Sequence, residues 1–195
     1  MTFEPVPSLT VRWRTEAGDG LEHVDLTPVE GGLRCRGLLL TPPEDGARAI
    51  RYDLEIDAAW RARAFRLLAS DGVEVVLSSR ESGVWTGPDG ARLPALDGAV
   101  DLDLAGTPLT NLLPIRRIFG DGRGGAETIA VVYIPADTLA PRLAIQRYEA
   151  LRPGRLYRYE SRDSGFVADL PVDRFGLVVD YPGLWRRMPT EDTSR

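Results

Sequence analysis

IRYDLEID, residues 50–57, alternates large apolar side chains with charged ones over its whole length. Successive side chains of an extended chain point to opposite faces, so Ile50, Tyr52, Leu54 and Ile56 share one face and the four charged residues share the other. This pattern predicts a strand with one face in the core and one face in water.

The same period of two recurs along the chain, between turn sequences such as Gly-Pro-Asp-Gly at 87–90. Short strands at intervals of roughly 8–12 residues are typical of an antiparallel sheet that rolls up or closes on itself. We therefore predict an all-β fold with at most one short helix. The further predicted strands are Leu9 to Trp13, Val73 to Leu77, Val100 to Leu104, Thr128 to Ile134, Arg155 to Glu160 and Phe175 to Val179.

Three other segments have mixed signals. Residues 58–69 contain good helix formers but also alternate, and we interpret them as a strand. Residues 135–147 have room for one short helix or turn, which an internal proline keeps short. Gly120, Gly122 and Gly125 have the spacing of a dinucleotide-binding loop, but the strand-like sequence after them offers no helix N-terminus, so we interpret a flexible hairpin loop.

Length and composition set limits on the class of protein. The 195 residues are expected to form one domain, 1–195, with a loose tail from about residue 190. The 24 cationic residues are all arginine, and 29 acidic residues leave a net charge of −5, which argues against a nucleic-acid partner. Residues 1–7 lack the basic and apolar regions of a signal peptide, and no stretch approaches the roughly 18 apolar residues of a membrane span. We expect a cytoplasmic protein without a membrane span, and a monomer rather than an oligomer.

The residues that most often carry catalysis or metals are scarce. His23 is the only histidine and Cys35 the only cysteine, so the sequence predicts no metal site, no disulfide and no cofactor. We expect His23 at an exposed strand position and Cys35 buried and inert. Asp101 and Asp103 would share one strand face about 7 Å apart, which is a weak signal for a paired-carboxylate hydrolase in a chain so rich in acids.

The run DLDLAGTPLTNLLPIRR, residues 101–117, begins as a strand and continues with turn-forming residues. Thr107, Thr110 and Asn111 favour a turn or bulge in which their side chains bond to the backbone. Pro114 would interrupt a ladder and keep the segment at a sheet edge or a bulge, and such breaks often lie beside a binding site. We therefore include the two threonines and the asparagine among the candidate ligand-binding residues.

Arg116 and Arg117 end this run. On a strand the two side chains would point to opposite faces, so we expect one to face water or to pair with Asp101 or Asp103, and the other to reach a cavity or its mouth. A guanidinium in such a place requires an anionic or hydroxyl-rich partner. Both arginines are candidate ligand-binding residues, and an ordinary sheet corner held by an ion pair is the alternative.

Aromatic residues provide the remaining candidates. Their amphipathic rings suit the mouth of a cavity that meets both parts of an amphiphile, although an ordinary barrel core would use them equally well. The candidates are Trp13, Trp60, Trp85, Tyr148, Tyr157, Tyr159, Tyr181 and Trp185.

The run LDLAGTPLTNLLPIRR at 102–117 resembles the signature of the bacterial glycolipid-binding family, first described as a domain of unknown function. One departure is Leu112, which stands where the family signature has a second hydroxyl residue. Further segments that resemble the family occur in the same order as in the family, over nearly the whole chain. They are VRW at 11–13, the stretch from Tyr52 to Arg61, LPALDG at 93–98, QRY at 146–148, RLYRYES at 155–161, SGF at 164–166 and GLVVDYPGLWRR at 176–187.

The resemblance implies a spiral β-roll, similar to carriers that move lipoproteins and lipids across the periplasm. It carries over no catalytic or binding residue. The leading hypothesis is a non-catalytic carrier or sensor that holds a glycolipid or other amphiphile in an apolar cavity inside the rolled sheet. An enzyme acting on a similar amphiphile and an interaction module with a filled core remain alternatives.

Overall fold

Residues 3–189, which the computed structural model describes, form thirteen strands and one α-helix. Strands account for 49% of the chain, and the sheets curl into a half-barrel, so the predicted all-β fold with at most one short helix is confirmed. The loose tail expected from residue 190 lies outside the described residues.

The helix α1 spans Leu112–Phe119, between the seventh and eighth strands. In chain order the strands are β1 Leu9–Thr15, β2 Leu21–Val29, β3 Gly32–Leu40, β4 Ala49–Asp57, β5 Ala62–Ala69, β6 Glu74–Ser78, β7 Asp101–Leu104, β8 Gly125–Ile134, β9 Arg142–Arg152, β10 Leu156–Ser161, β11 Val167–Pro171, β12 Asp180–Tyr181 and β13 Trp185–Arg187.

The larger sheet has eight strands in the order β12-β13-β1-β2-β3-β4-β5-β6. All of its neighbours are antiparallel. In β4 the side chains of Ile50, Tyr52, Leu54 and Ile56 are buried, as their alternation predicts. They contribute to one apolar cluster shared with the smaller sheet.

The smaller sheet has five strands in the order β11-β10-β9-β8-β7. Its edge strand β7 runs parallel to β8, so the expectation of a wholly antiparallel sheet is wrong at this pair. A parallel pair needs a long crossover between its strands, and residues 105–124, which include α1, provide it.

The strand predicted to end at Leu104 does end there, but the expectation that Arg116 and Arg117 lie on a strand is wrong, because Leu112–Phe119 form α1. Pro114 is the third residue of α1, within the first turn, where a missing N–H costs no hydrogen bond. The apolar residues of α1 are buried, and Arg116 and Arg117 fall in its last turn, where cations favour a helix. The two arginines diverge because they are neighbours on a helix, not on a strand.

Two further segments differ from their predictions. The predicted strand at 58–69 begins only at Ala62, because Asp57 accepts hydrogen bonds from the N–H groups of Ala59 and Arg61 and forms a turn. Residues 120–124 connect α1 to β8 and do not form a hairpin loop. The short helix or turn expected within 135–147 is a turn at 136–138.

The predicted strand at Phe175 to Val179 is a turn. Asp173 accepts hydrogen bonds from the N–H groups of Phe175 and Leu177. Only an isolated bridge between Val172 and Val178 remains of the expected pairing.

An ion pair ties α1 to β7. The guanidinium of Arg117 contacts both carboxylate oxygens of Asp101, with Nη2 at 2.6 Å from Oδ2. The Asp101 side chain is 1% exposed, whereas that of Arg117 is 20% exposed. Burial raises the pKa of Asp101, and the guanidinium opposes that rise. Removing the arginine would leave the carboxylate without a charge partner.

We expect Arg117→Ala to lower the free energy of unfolding by about 3 kcal/mol, because it leaves a buried carboxylate unpaired. Arg158→Ala is the matched control, since Arg158 and Asp169 form a comparable pair in which each side chain is about 40% exposed. That control should cost less than about 1 kcal/mol. Urea unfolding of both variants measures the difference, and equal losses would contradict the anchoring role of Arg117.

Candidate functional site

A half-open cleft of about 440 Å³ lies where the smaller sheet meets strands β12 and β13. This volume falls in the range of roughly 300–1,000 Å³ typical of small-molecule sites. Five of the predicted residues line it, namely Thr107, Asn111, Tyr159, Tyr181 and Trp185. A groove of about 950 Å³ beside β1 and β2 contains none of the predicted site residues, and one of about 530 Å³ beside α1 contains three, Trp60, Arg116 and Arg117. We assign the candidate site to the cleft because it brings together the largest number of them.

The floor of the cleft is a hydrogen-bonded network centred on Asp103. Its carboxylate accepts a hydrogen bond from Thr110 Oγ1 at 2.9 Å and another from Gln146 Nε2 at 2.5 Å. The Tyr148 hydroxyl donates to Asn111 Oδ1 at 2.9 Å. A network of this kind fixes the orientation of each polar group and leaves the remaining lone pairs and N–H groups for a ligand.

The signature run builds this floor through local structure. Strand β7 ends at Leu104, and a 3₁₀ turn at Leu109–Asn111 brings the chain back towards β7. Thr107 Oγ1 accepts a hydrogen bond from the N–H of Leu109 at 2.9 Å, which fixes the entry to that turn. The turn then places Thr110 against the carboxylate on β7.

One wall of the cleft is aromatic. The ring centroids of Tyr159, Phe166 and Tyr181 lie 6.2–6.3 Å from one another. Phe166 is 38% exposed and Leu184 is 42% exposed, and both line the mouth. The floor of the cleft is therefore polar, whereas its exposed lining combines the apolar Phe166 and Leu184 with Arg142, Asp163 and Ser164.

Burial raises the pKa of titratable side chains in the floor and the wall of the cleft. It raises the pKa of Asp103, and the hydrogen bonds from Gln146 and Thr110 oppose that rise. It also raises the pKa of Tyr159 and Tyr181, so both phenols keep their protons and remain donors at neutral pH.

The model of a family described as "Putative glycolipid-binding" matches residues 10–187. The chain belongs to this glycolipid-binding family. The match includes the whole signature run and every residue of the cleft wall, so the site described above is part of the family's domain.

Two solved structures are similar to this member of the glycolipid-binding family. A crystal structure of a DUF1089 family protein from Pseudomonas aeruginosa is 34% identical, covers 95% of this chain and 100% of its own, and has a TM-score of 0.76. A beta-barrel-like protein of the DUF1849 domain from Brucella abortus is 12% identical, covers 93% and 96%, and has a TM-score of 0.47, which is too weak for argument. No curated protein matches the chain.

Two classes of feature are absent from the part of the chain that the structure describes. None of its helices is long and apolar enough to cross a lipid bilayer. It contains no group of three or more His, Cys, Asp or Glu side chains placed to hold a metal ion.

The other predicted site residues lie behind the cleft or away from it. Thr110 and Tyr148 hold the floor from behind through the hydrogen bonds already described. Trp13, Trp85 and Tyr157 are fully buried in the core, and the two indole N–H groups donate to backbone carbonyls.

Trp60, Arg116 and Arg117 lie outside the cleft. The Arg116 guanidinium stacks 4.2 Å from the centroid of Trp60, and its Nη1 donates to the carbonyl oxygens of Glu4 and Phe175. Arg116 and Trp60 line a separate pocket of about 350 Å³. In this arrangement Arg116 holds three segments of backbone together.

Sequence reasoning missed several residues of the cleft. The sequence indicates Asp103 only as half of a carboxylate pair or as a partner of Arg116 or Arg117, and it does not mark Gln146, Tyr133, Arg142 or Phe166 as ligand-binding candidates. The polar residues among them alternate with apolar ones on strands, which is also the pattern of any wet sheet face.

A buried acid of the larger sheet interacts with Thr107, a lining residue of the cleft. Glu22 on β2 is 0% exposed and accepts a hydrogen bond from the Tyr52 hydroxyl at 2.6 Å. Burial raises its pKa from 4.5 to about 7, and the hydroxyls of Thr107 and Tyr52 oppose the rise. Since Thr107 also lines the cleft, the protonation of Glu22 is connected to the floor.

Glu22→Gln should make folding stability less dependent on pH. The folded carboxyl keeps its proton up to about pH 7, whereas the unfolded one loses it near 4.5, so its contribution is full below pH 4.5 and is lost as the pH rises through 7. That difference of about 2.5 in pKa corresponds to roughly 3 kcal/mol.

The measurement is urea unfolding of both proteins at pH 4.5 and pH 8. Between these values the wild type should lose roughly 3 kcal/mol of stability relative to the glutamine variant. Parallel pH profiles for the two proteins would contradict the assignment of a neutral buried Glu22.

Proposed function

We propose that this chain binds the sugar headgroup of a glycolipid or similar amphiphile in the cleft, as a non-catalytic carrier or sensor. The observation that carries the proposal is the hydrogen-bonding floor around Asp103 in a cleft that the rings of Tyr159, Phe166 and Tyr181 also line. A sugar ring presents hydroxyl groups at its edge and C–H bonds on its faces, so it needs both kinds of surface. The description of the family supports the same class of ligand.

The polarity of the cleft favours entry of the headgroup first. The buried polar groups lie at the floor, while Phe166 and Leu184 are the exposed apolar side chains of the lining and offer a surface along which an alkyl chain would leave the site. The large apolar side chains between the sheets, among them Trp13, Trp85 and Phe65, pack into one cluster. This packing favours the cleft over an apolar cavity inside the rolled sheet as the place for the ligand.

We expect octyl glycosides, used below their micellar concentration, to bind saturably and to change the fluorescence of Trp185, which lines the cleft. Phe166→Ala should weaken binding about 3- to 10-fold, because one aromatic contact contributes roughly 0.5–1.5 kcal/mol. Leu38→Ala is the matched control, since Leu38 is 49% exposed on a strand of the larger sheet, outside the cleft.

The control variant should bind like the wild type. Two results would contradict the proposal: no saturable binding of any glycoside in a panel of octyl sugars, or equal weakening by Phe166→Ala and Leu38→Ala.

A further inference from the structure

Acidic groups dominate the charge of the cleft. Among the described residues that line it, Asp45, Asp103 and Asp163 are acidic and Arg142 is the only cationic one. Arg142 is already engaged, because its Nη1 lies 3.0 Å from Asp163 Oδ2 and its guanidinium lies 4.9 Å from the centroid of the Tyr133 ring. Arg142 and Asp163 therefore offset each other, and an anionic headgroup would meet the carboxylate of Asp103 without an unpaired cation among the described lining residues.

Asp103 differs from the other acidic residue of its strand. Asp101 is neutralised by Arg117, whereas no cationic side chain within residues 3–189 lies within ion-pair distance of Asp103. Its partners are a neutral amide and a neutral hydroxyl, from Gln146 and Thr110. A carboxylate that has lost much of its hydration without gaining a counter-charge is poorly compensated, and a cation supplied by the ligand would correct this.

The aromatic wall is a second, independent reason to expect a positively charged group on the ligand. The faces of aromatic rings attract cations, and several rings around one space form the usual recognition site of an ammonium group. Tyr159, Phe166 and Tyr181 are mutual neighbours, and Tyr133 lines the same cleft. A protonated amine would be stabilised by these ring faces and by Asp103 together.

We propose that the headgroup bound in the cleft carries an ammonium group and no phosphate or carboxylate, which makes an amino sugar the class of ligand that fits. This inference rests on the proposed function, since it assumes that a sugar enters the cleft. The ammonium group would lie between Asp103 and the aromatic wall, and the sugar hydroxyls would meet the amides of Asn111 and Gln146.

The test is calorimetric titration of the wild-type chain at pH 6 with four probes in the glucose and galactose series. The probes are the neutral methyl glycoside, the free amino sugar, its N-acetyl form and its 6-phosphate. The amino sugar should bind about tenfold or more tightly than the neutral and N-acetyl forms, and the phosphate should bind more weakly than the amino sugar.

Asp103→Asn should abolish the preference for the amine over the neutral glycoside, because an amide keeps hydrogen-bonding capacity but loses the charge; the readout is the ratio of the two affinities in this variant. Asp169→Asn is the control, since Asp169 alternates with the buried Ala168 and Leu170 and so lies on the outer face of β11. This variant should keep the full preference. The wild-type titrations test the preference for an ammonium group even if Asp103→Asn does not fold.

Each other outcome separates the two proposals. Equal or tighter binding of the neutral glycosides would overturn the ammonium inference and leave sugar binding intact. Absence of binding by all four probes in both series would overturn both proposals. Choline is titrated as a fifth probe. If it binds as tightly as the amino sugar, the amino-sugar assignment is overturned in favour of a lipid ammonium group.

Discussion

The ion pair between Asp101 and Arg117 fixes the arrangement on which the cleft depends. It joins the edge strand β7 to α1, the helix that carries the chain over to a parallel neighbour. Asp103 lies two residues further along β7 and so points to the same side of the strand. One carboxylate therefore anchors the fold, and the next forms the floor of the site with Gln146 from β9.

Strand positions were predictable because burial on one face of a sheet imposes a period of two, as Ile50 to Ile56 demonstrate. The helix at Leu112–Phe119 was not, because apolar residues beside a proline fit a broken strand as well as a first helical turn. The parallel pairing of β7 with β8 was not predictable for the same reason. Parallel strands need a long crossover connection, and without the helix the sequence gives no sign of one. The family resemblance identified the domain but did not indicate that β7 and β8 are parallel.

The candidate site was predicted in part. Hydroxyl and amide residues of the signature were recognised, and Thr107 and Asn111 do line the cleft. Their partners were not recognised, because Gln146 meets Asp103 across 43 positions of sequence and no local pattern marks such a pair. Phe166 follows a Ser-Gly turn and resembles any exposed loop residue until the fold places it beside Tyr181.

Under the proposed function, the hydrogen-bonding floor of the cleft would bind the headgroup of the ligand, and Phe166 and Leu184 would contact the start of its alkyl chain. The most direct test is an NMR titration that follows backbone amide shifts while a tail-free amino sugar is added. We expect saturable shifts confined to residues 103–111, 142–146 and 159–166. Shifts centred on the pocket around Trp60 and Arg116, or none at all, would contradict the proposal.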